Sequence, residues 1–246
     1  MVEFIMRPAE DNGVHMLYVT PNREMTDDEY DSYKQYFEVM GGHWRESMKG
    51  FVFYLDQMER TKKARENELK QYFPTPEPIA QMVVEMSGLC REAELEKLRI
   101  LEPSAGTGAL LKELPTRLLF AVTAIEPDDR HWLLLRGLAP DVRTITFEEY
   151  YEIAMQKHDT YTHVIMNPPF SDGRDIKHVR MAYDLLDEGG RLVAIISENS
   201  LYWDNEASRD FKKWLQKKGA GVRCLPHGAF RESGTSIDTV LICIDK

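Results

Sequence analysis

The chain has 246 residues, of which 43% are hydrophobic and 29% are charged, and this composition excludes a disordered or fibrous protein. Its 31 Lys and Arg against 41 Asp and Glu give a formal net charge of -10, so any nucleic-acid contact would require a local basic patch. The longest apolar run, residues 192–196, is too short to span a bilayer, the N-terminus lacks an apolar core of signal-peptide length, and the three cysteines are scattered. We therefore expect a soluble, cytoplasmic protein without a membrane partner.

Residues 1–70 are predicted to form a small N-terminal α+β extension. Thr26-Asp27-Asp28-Glu29 matches a capping box, in which the threonine and glutamate satisfy the first free N–H groups of a helix. We expect this helix to reach about Met40, where Gly41-Gly42 ends it. The aromatic-rich residues 51–55 predict a strand. The charged stretch 59–70 lacks an apolar stripe and predicts a linker.

From Tyr72 onward, helices and short apolar strands alternate. Thr75-Pro76 supplies an N-cap and a first-turn proline for a helix through Leu89. The strand candidates are residues 99–102, 121–125, 142–146, 163–167 and 191–197. The helical stretches lie around Leu110 and at 129–136, 148–155, 176–186 and 208–217. This α/β alternation predicts a parallel, doubly wound sheet over residues 71–246. The runs 221–225 and 239–244 predict two antiparallel strands that close it.

A glycine-containing loop follows the first strand of this domain. Glu102-Pro103-Ser104-Ala105-Gly106-Thr107-Gly108 joins a predicted strand to a predicted helix, the place where open α/β sheets bind ligands. Gly106 and Gly108 allow the backbone to approach a ligand closely. Leu111 breaks the dinucleotide fingerprint and no Lys-Ser/Thr pair follows, which disfavours dinucleotide and phosphate ligands. Glu102 is suited to a cationic ligand instead.

Two further motifs stand at the ends of later strands. Glu126 ends the next strand, where a carboxylate can accept hydrogen bonds from both hydroxyls of a ribose. Asn167-Pro168-Pro169-Phe170 ends the fourth strand, and its two prolines force a stiff turn. This turn would hold the Asn167 amide and the Pro168 carbonyl as two acceptors for an exocyclic amino group, with Phe170 as a stacking surface.

In this order, the motifs resemble those of the S-adenosylmethionine-dependent amino methyltransferases. The resemblance covers residues 71–246 and is greatest to the DNA adenine-N6 methyltransferases of phages and mobile elements. It implies a Rossmann-like, seven-stranded mixed sheet of the class I methyltransferase type, whose last two strands form a hairpin. It also implies S-adenosyl-L-methionine as the cofactor and adenine in DNA as the substrate.

The resemblance assigns roles to individual residues of this sequence. In Phe73-Pro74-Thr75-Pro76, Phe73 and Thr75 would contact the methionine part of the cofactor, and Asn167 would also bind the cofactor. The glycine loop would bind it through Pro103, Ser104, Ala105, Gly106 and Gly108, with Glu102 facing its ammonium group. Glu126 would bind the ribose. Phe147 would contact the adenine of the cofactor, although Thr146 stands where the family has an acid. Asn167, Pro168, Pro169 and Phe170 would be catalytic. In the late loop 230–235, the residues that would hold the target base are Phe230, Ser233 and Thr235.

The implied reaction is direct attack of the amino nitrogen on the cofactor's methyl group, giving N6-methyladenine. Two alternatives stay open. The same Asn-Pro-Pro motif serves enzymes that methylate RNA bases or a glutamine amide of a protein, and the acidic net charge disfavours a chain that binds DNA on its own, because phosphate contacts dominate nucleic-acid affinity. A non-catalytic, cofactor-binding subunit of a larger complex is the third reading.

The partners of the chain follow from the same comparison. The resembled subgroup carries a long recognition domain after the catalytic one, whereas this sequence ends at Lys246, so we expect an oligomer or a separate recognition partner. The last third of the chain is basic at Arg209, Lys212, Lys213, Lys217, Lys218 and Arg223, which favours DNA and also fits a solvated helix face. The seven histidines show no metal-ligand spacing, and no metal is expected.

Overall fold

The computed structural model describes residues 2, 4–11, 14–39, 42–54, 73–92 and 94–246. The chain divides into two compact units, Met1–Asn67 and Glu68–Lys246. The linker predicted at residues 59–70, and with it the boundary after residue 70, lies outside the described residues.

The first unit contains a four-stranded antiparallel sheet and one helix. Its elements are β1 (Phe4–Asp11), β2 (Val14–Pro21), α1 (Asp27–Val39), β3 (Gly42–Arg45) and β4 (Gly50–Tyr54), and the strand order is β1-β2-β4-β3. The core of this unit is aromatic and aliphatic, with Val19, Phe37, Phe51 and Phe53 buried. The expected α+β extension is therefore confirmed.

The capping box of α1 is also confirmed. The Glu29 N–H donates to Thr26 Oγ1 at 3.3 Å, and the Thr26 N–H donates to Glu29 Oε2 at 3.2 Å. The helix ends at Val39, close to the predicted limit. Gly42, which was expected only to end the helix, begins β3 and pairs with Phe53 of β4.

The second unit is a sheet flanked by helices. Its strands are β5 (Ile100–Glu102), β6 (Val122–Ile125), β7 (Asp141–Arg143), β8 (Tyr161–Met166), β9 (Leu186–Ser197), β10 (Gly221–Cys224) and β11 (Thr239–Asp245). Its helices are α2 (Glu77–Ser87), α3 (Ala109–Lys112), α4 (Trp132–Arg136), α5 (Phe147–Lys157), α6 (Arg174–Asp184), α7 (Asn199–Tyr202) and α8 (Glu206–Lys217).

The topology of this sheet is that of the predicted class I methyltransferase fold. The strand order is β10-β11-β9-β8-β5-β6-β7. The five strands from β9 to β7 run parallel to one another, while β11 runs antiparallel to β9 and to β10. The seven-stranded mixed sheet and its closing antiparallel pair are thus confirmed.

The central strands are rich in apolar residues because both of their faces are covered. Residues of β5, β8 and β9 are buried against α2 on one side, in a cluster that includes Val83, Ile100, Ile165 and Val193. The carboxyl ends of β5, β6 and β8 are neighbours, so the residues that follow them meet at one edge. Among the described residues, no helix is long and apolar enough to cross a membrane.

Candidate active site

A cleft that is partly open to solvent lies at the carboxyl edge of the second unit's sheet. The cleft brings together nine of the residues singled out in the sequence: Phe73, Pro103, Ser104, Glu126, Phe147, Asn167, Pro168, Pro169 and Phe170. These residues come from five separate segments of the chain, which the parallel strands place side by side.

Glu126 holds the loops on either side of it. The Gly106 N–H donates to Glu126 Oε2 at 2.7 Å, and the Asp128 N–H donates to Oε1 at 2.9 Å. Gly106 adopts a left-handed conformation, with φ 53°, which a glycine accommodates without strain. The carboxylate is therefore fixed in the wall of the cleft, and each oxygen keeps a further lone pair for a ligand.

Glu102 is a buried carboxyl group without a hydrogen-bond partner for one of its oxygens. It is 1% exposed, and within the described parts of the chain its Oε2 accepts no hydrogen bond. Burial, and secondly the charge of Glu126, raise the pKa of Glu102 well above its ordinary value. Burial also raises the pKa of Glu126, against the lowering effect of its two backbone donors. A cation placed here would relieve both penalties.

The amide of Asn167 is oriented by the segment that precedes α2. Its Nδ2 donates to Thr75 Oγ1 at 2.9 Å and to the Phe73 carbonyl at 3.3 Å. Its Oδ1 is buried and has no partner among the described residues. Because both amide hydrogens are engaged, the side chain presents an acceptor oxygen at the cleft.

The late loop, residues 230–235, contacts residues beside the cleft but does not line it. Phe230 is 0% exposed and contacts Phe170 edge to face, with ring centroids 6.2 Å apart. Ser233 Oγ donates to the Pro74 carbonyl at 2.6 Å, and Thr235 Oγ1 accepts from the Ile237 N–H at 3.2 Å. Phe230, Ser233 and Thr235 thus have contacts within the chain and are not among the residues that line the cleft, and their expected contact with a target base stays a prediction.

Gly108 has a packing role. Its φ is 77°, and a Cβ there would lie 2.5 Å from Leu138 Cδ1 and 3.3 Å from Leu135 Cδ2. This packing is a sufficient reason for a glycine here, and the expected role of Gly108 in close approach to a ligand stays a prediction. Ala105, whose N–H donates to the Ile125 carbonyl at 2.9 Å, is likewise part of the support of the loop.

Thr146 begins α5 and leaves Phe147 in the cleft. The Glu149 N–H donates to Thr146 Oγ1 at 3.2 Å, while the Thr146 N–H donates to Glu149 Oε2 at 2.8 Å. This is a complete capping box. The strand β7 ends at Arg143 and not at residue 146 as predicted; Thr146 is the N-cap of α5 and so lies outside the strand.

Five further residues line the cleft that the sequence did not indicate: Pro127, Asp128, Arg130, His131 and His178. His131 lies between two carboxylates, with Nδ1 3.8 Å from Glu126 Oε1 and Nε2 3.9 Å from Asp128 Oδ2. Arg130, through its hydrogen bonds, lowers the pKa of Asp128. His178 is 1% exposed, and its ring meets the edge of Phe147 with centroids 5.3 Å apart.

A helical period in the sequence could have indicated His178. The buried residues of α6 include Asp175, His178, Val179 and Ala182, at spacings of three, four and seven, which mark the inner face of a helix. No group of three or more metal-ligating side chains occurs among the described residues.

Comparison with known proteins relates this fold to restriction-modification enzymes. No protein-family model and no curated protein sequence matches the chain. The type IIG restriction endonuclease BpuSI matches with a TM-score of 0.53 and 17% identity, covering 70% of this chain and 25% of that chain. A chain of a type I restriction-modification system matches with a TM-score of 0.57 and 19% identity, covering 78% of this chain and 45% of that one.

The M protein of the type I restriction enzyme EcoKI matches with a TM-score of 0.54 and 15% identity, covering 90% of this chain and 55% of that one. The chain thus spans from about a quarter to about half of the length of these proteins. At such identities the likeness is one of fold, and it agrees with the strand order described above.

Proposed function

We propose that residues 71–246 form a methyltransferase domain that uses S-adenosyl-L-methionine to methylate the exocyclic amino group of adenine in DNA. The observation that carries this proposal is the Asn167 amide, whose hydrogens are engaged by Thr75 and Phe73 while its oxygen has no partner among the described residues. Asn167 and Pro168 line the same cleft as Glu126. The shared fold with restriction-modification proteins supports the same assignment.

The donor groups around the cleft fit this cofactor. When bound, S-adenosyl-L-methionine supplies a methyl group activated by a positively charged sulfur. Glu102, whose Oε2 is buried and accepts no hydrogen bond within the described chain, would hold the ammonium group. Glu126 has oxygens left to accept from ribose hydroxyls. Pro103 and Ser104 provide the adjoining wall, and Phe147 an apolar face for the purine.

The residues of the Asn167–Phe170 loop would act on the amine. The lone pair of an aromatic amine is delocalised into the ring, which makes the nitrogen a poor nucleophile. Acceptance of its two hydrogens by Asn167 Oδ1 and the Pro168 carbonyl favours a pyramidal nitrogen with an available lone pair. Holding the amine in line with the methyl group supplies much of the remaining rate, since effective molarities reach about 10⁵ M or more.

Replacing Asn167 tests this proposal. We expect Asn167→Ala to lower methyl transfer at least about 100-fold, as loss of a positioned polar group in an active site does, while affinity for S-adenosylhomocysteine stays near wild type. Asn199→Ala, at an exposed asparagine of α7, is the control. Transfer by the Asn167 variant at the wild-type rate would remove this side chain from the mechanism.

The nature of the substrate needs a separate experiment. A glutamine amide or an RNA base carries an NH₂ group that the same two acceptors could hold, and the net charge of -10 opposes binding to phosphates. Incubation with labelled cofactor and unmethylated DNA, RNA or protein, followed by digestion to nucleosides and amino acids, identifies the methylated product. Labelled N6-methyladenine from DNA alone is the expected result.

A catalytically silent role is the remaining candidate. The chain spans only part of the length of the restriction-modification proteins that it resembles. We propose that a second copy of the chain or a recognition partner supplies the further contacts with DNA. Binding of S-adenosylhomocysteine without transfer to any of the three substrates, with or without added partner chains, would favour a cofactor-binding subunit.

A further inference from the structure

His178 is a buried polar side chain in the wall of the cleft that the proposed methyl transfer does not use. It is 1% exposed and lines the cleft. Within the part of the chain that the structure describes, neither ring nitrogen has a partner in hydrogen-bond geometry. Since burial of an unsatisfied polar group is unfavourable, a ligand that supplies the missing hydrogen bond would be stabilised here.

Glu148 determines which ring nitrogen carries the proton. Its Oε1 lies 3.1 Å from Nε2 of His178, within the distance of an ion pair. The two groups are not aligned for a hydrogen bond. Burial would raise the pKa of Glu148, but His178 and, more weakly, Lys177 bring it to about 2, so the carboxylate is ionised at neutral pH. A carboxylate at this distance favours a proton on Nε2, so Nδ1 is the ring nitrogen that can accept a hydrogen bond from a ligand.

The neighbouring residues identify the part of the ligand that Nδ1 would meet. The ring of His178 stands nearly perpendicular to that of Phe147, at 81°, and Phe147 is the proposed contact of the cofactor's purine. The hydroxyl of Thr146 is used in the cap of α5, where it lies 3.0 Å from Glu149 Oε2 and accepts from the Glu149 N–H. Thr146 is therefore not available to recognise the purine, whereas His178 is.

We infer that Nδ1 of His178 accepts a hydrogen bond from the 6-amino group of the cofactor's adenine and so selects a 6-amino over a 6-oxo purine. This inference rests on the proposed function, because it takes the cleft to bind an adenosyl cofactor. A site built to hydrogen-bond one substituent rejects the analogue that lacks it, because a buried polar group is then left unpaired.

The test compares two ligands in equilibrium binding to the full chain. S-adenosylhomocysteine carries the 6-amino group, and S-inosylhomocysteine carries a 6-oxo group in its place. By calorimetry, we expect the wild-type protein to prefer the adenosyl compound by roughly ten- to a hundredfold, the effect of one buried hydrogen bond.

Two substitutions at the same position separate the nitrogen from the ring. His178→Phe keeps an aromatic ring without an acceptor, and we expect the preference to fall to within about threefold of unity, mainly through loss of affinity for the adenosyl compound. His178→Asn places an amide oxygen near the position of Nδ1 and should retain most of the preference. Glu148→Gln removes the carboxylate that favours one tautomer of His178 and should therefore reduce the preference. This variant provides a second test if His178→Phe does not fold.

The outcomes are distinct for the inference and for the proposed function. The role of His178 alone would be overturned if the wild-type protein bound both compounds equally or preferred the inosyl one. It would also be overturned if the preference persisted unchanged in His178→Phe or Glu148→Gln. A wild-type protein that binds neither compound would contradict the proposed cofactor itself. Loss of the preference in His178→Phe with retention in His178→Asn would support the inference.

Discussion

At the scale of single residues, polar atoms in and beside the cleft have no hydrogen-bond partner within the described part of the chain. Glu102 Oε2 and Asn167 Oδ1 are both buried without a hydrogen-bond partner among the described residues, although buried polar groups are almost always paired in folded proteins. Their position in and beside one cleft suggests that they are held for a ligand. Such unpaired groups lower the free energy of unfolding of the free protein, and this effect can be measured by substitution.

Glu102→Gln should stabilise the free protein and weaken cofactor binding. Because burial and Glu126 raise the pKa of Glu102, the folded state binds more protons than the unfolded state above the ordinary carboxylate range. The stability contributed by this group therefore falls as pH rises through that window. Glutamine mimics the protonated form at every pH. At pH 7 we expect the melting temperature of the variant to exceed that of the wild type by about 2–4 °C for each kcal/mol of unfolding free energy that the substitution adds.

Thermal unfolding between pH 5 and pH 8 measures this effect, with the exposed Glu96→Gln as the control. The advantage of Glu102→Gln should grow as pH rises, while its affinity for S-adenosylhomocysteine should fall roughly tenfold or more, as expected for loss of a charged hydrogen bond. Parallel stability curves for the variant and the wild type would show that Glu102 is ionised without penalty.

At the scale of elements, helix starts determine where the cleft residues lie. The capping box at Thr146 fixes the first turn of α5 and with it the position of Phe147. The hydrogen bonds of Asp175 act similarly for α6: its Oδ2 accepts from the Ser197 N–H at 3.0 Å and from Ser200 Oγ at 2.6 Å. These contacts tie the segment after the Asn-Pro-Pro-Phe turn to the end of β9.

Thr146→Val should lower the free energy of unfolding by about 1 kcal/mol, the usual cost of losing an N-cap. Valine keeps the shape of threonine but accepts no hydrogen bond from the Glu149 N–H. Chemical denaturation with a constant slope measures the change. Thr146→Asp, which keeps a good capping side chain, is the matched control and should stay close to wild type. Equal destabilisation by both variants would contradict the capping role.

At the scale of the whole molecule, α8 is a locally basic helix in an acidic protein. The buried residues of α8 are Ser208, Phe211 and Leu215, so its lysines and arginines face solvent. Tyr202 and Trp203, just before it, are 58% and 66% exposed, and Lys212 lies over the Tyr202 ring at 5.1 Å. Exposed aromatic and basic side chains at the same surface are typical of nucleic-acid binding.

We expect the double substitution Lys212→Glu with Lys213→Glu to weaken binding of DNA, the proposed substrate. Removal of two phosphate contacts should reduce the slope of log affinity against log salt by about 2. Fluorescence anisotropy of labelled DNA at several salt concentrations measures the affinity and its salt dependence. Lys97→Glu with Lys157→Glu changes the net charge equally at two exposed lysines outside α8 and is the control. Equal losses in both double variants would indicate only a general charge effect.

Local patterns in the sequence were sufficient for most of the second unit. Alternation of apolar runs with helical periods identified its strands, and the residues after β5, β6 and β8 could be assigned to one site because parallel strands end at one edge. Patterns were weaker in the first unit. There β1, β2 and β3 were missed, although Asn12-Gly13 between the first two is the dipeptide typical of a hairpin turn.

What the sequence by itself determined is the order of elements and the chemistry available at their ends, since both depend on neighbouring residues. The tertiary structure decided which of these residues meet. It buried Phe230, filled the space beside Gly108 with Leu138, and joined Thr75 to Asn167 across 92 positions. It also brought His178 against Phe147. Such contacts depend on packing between distant segments, which no local pattern encodes.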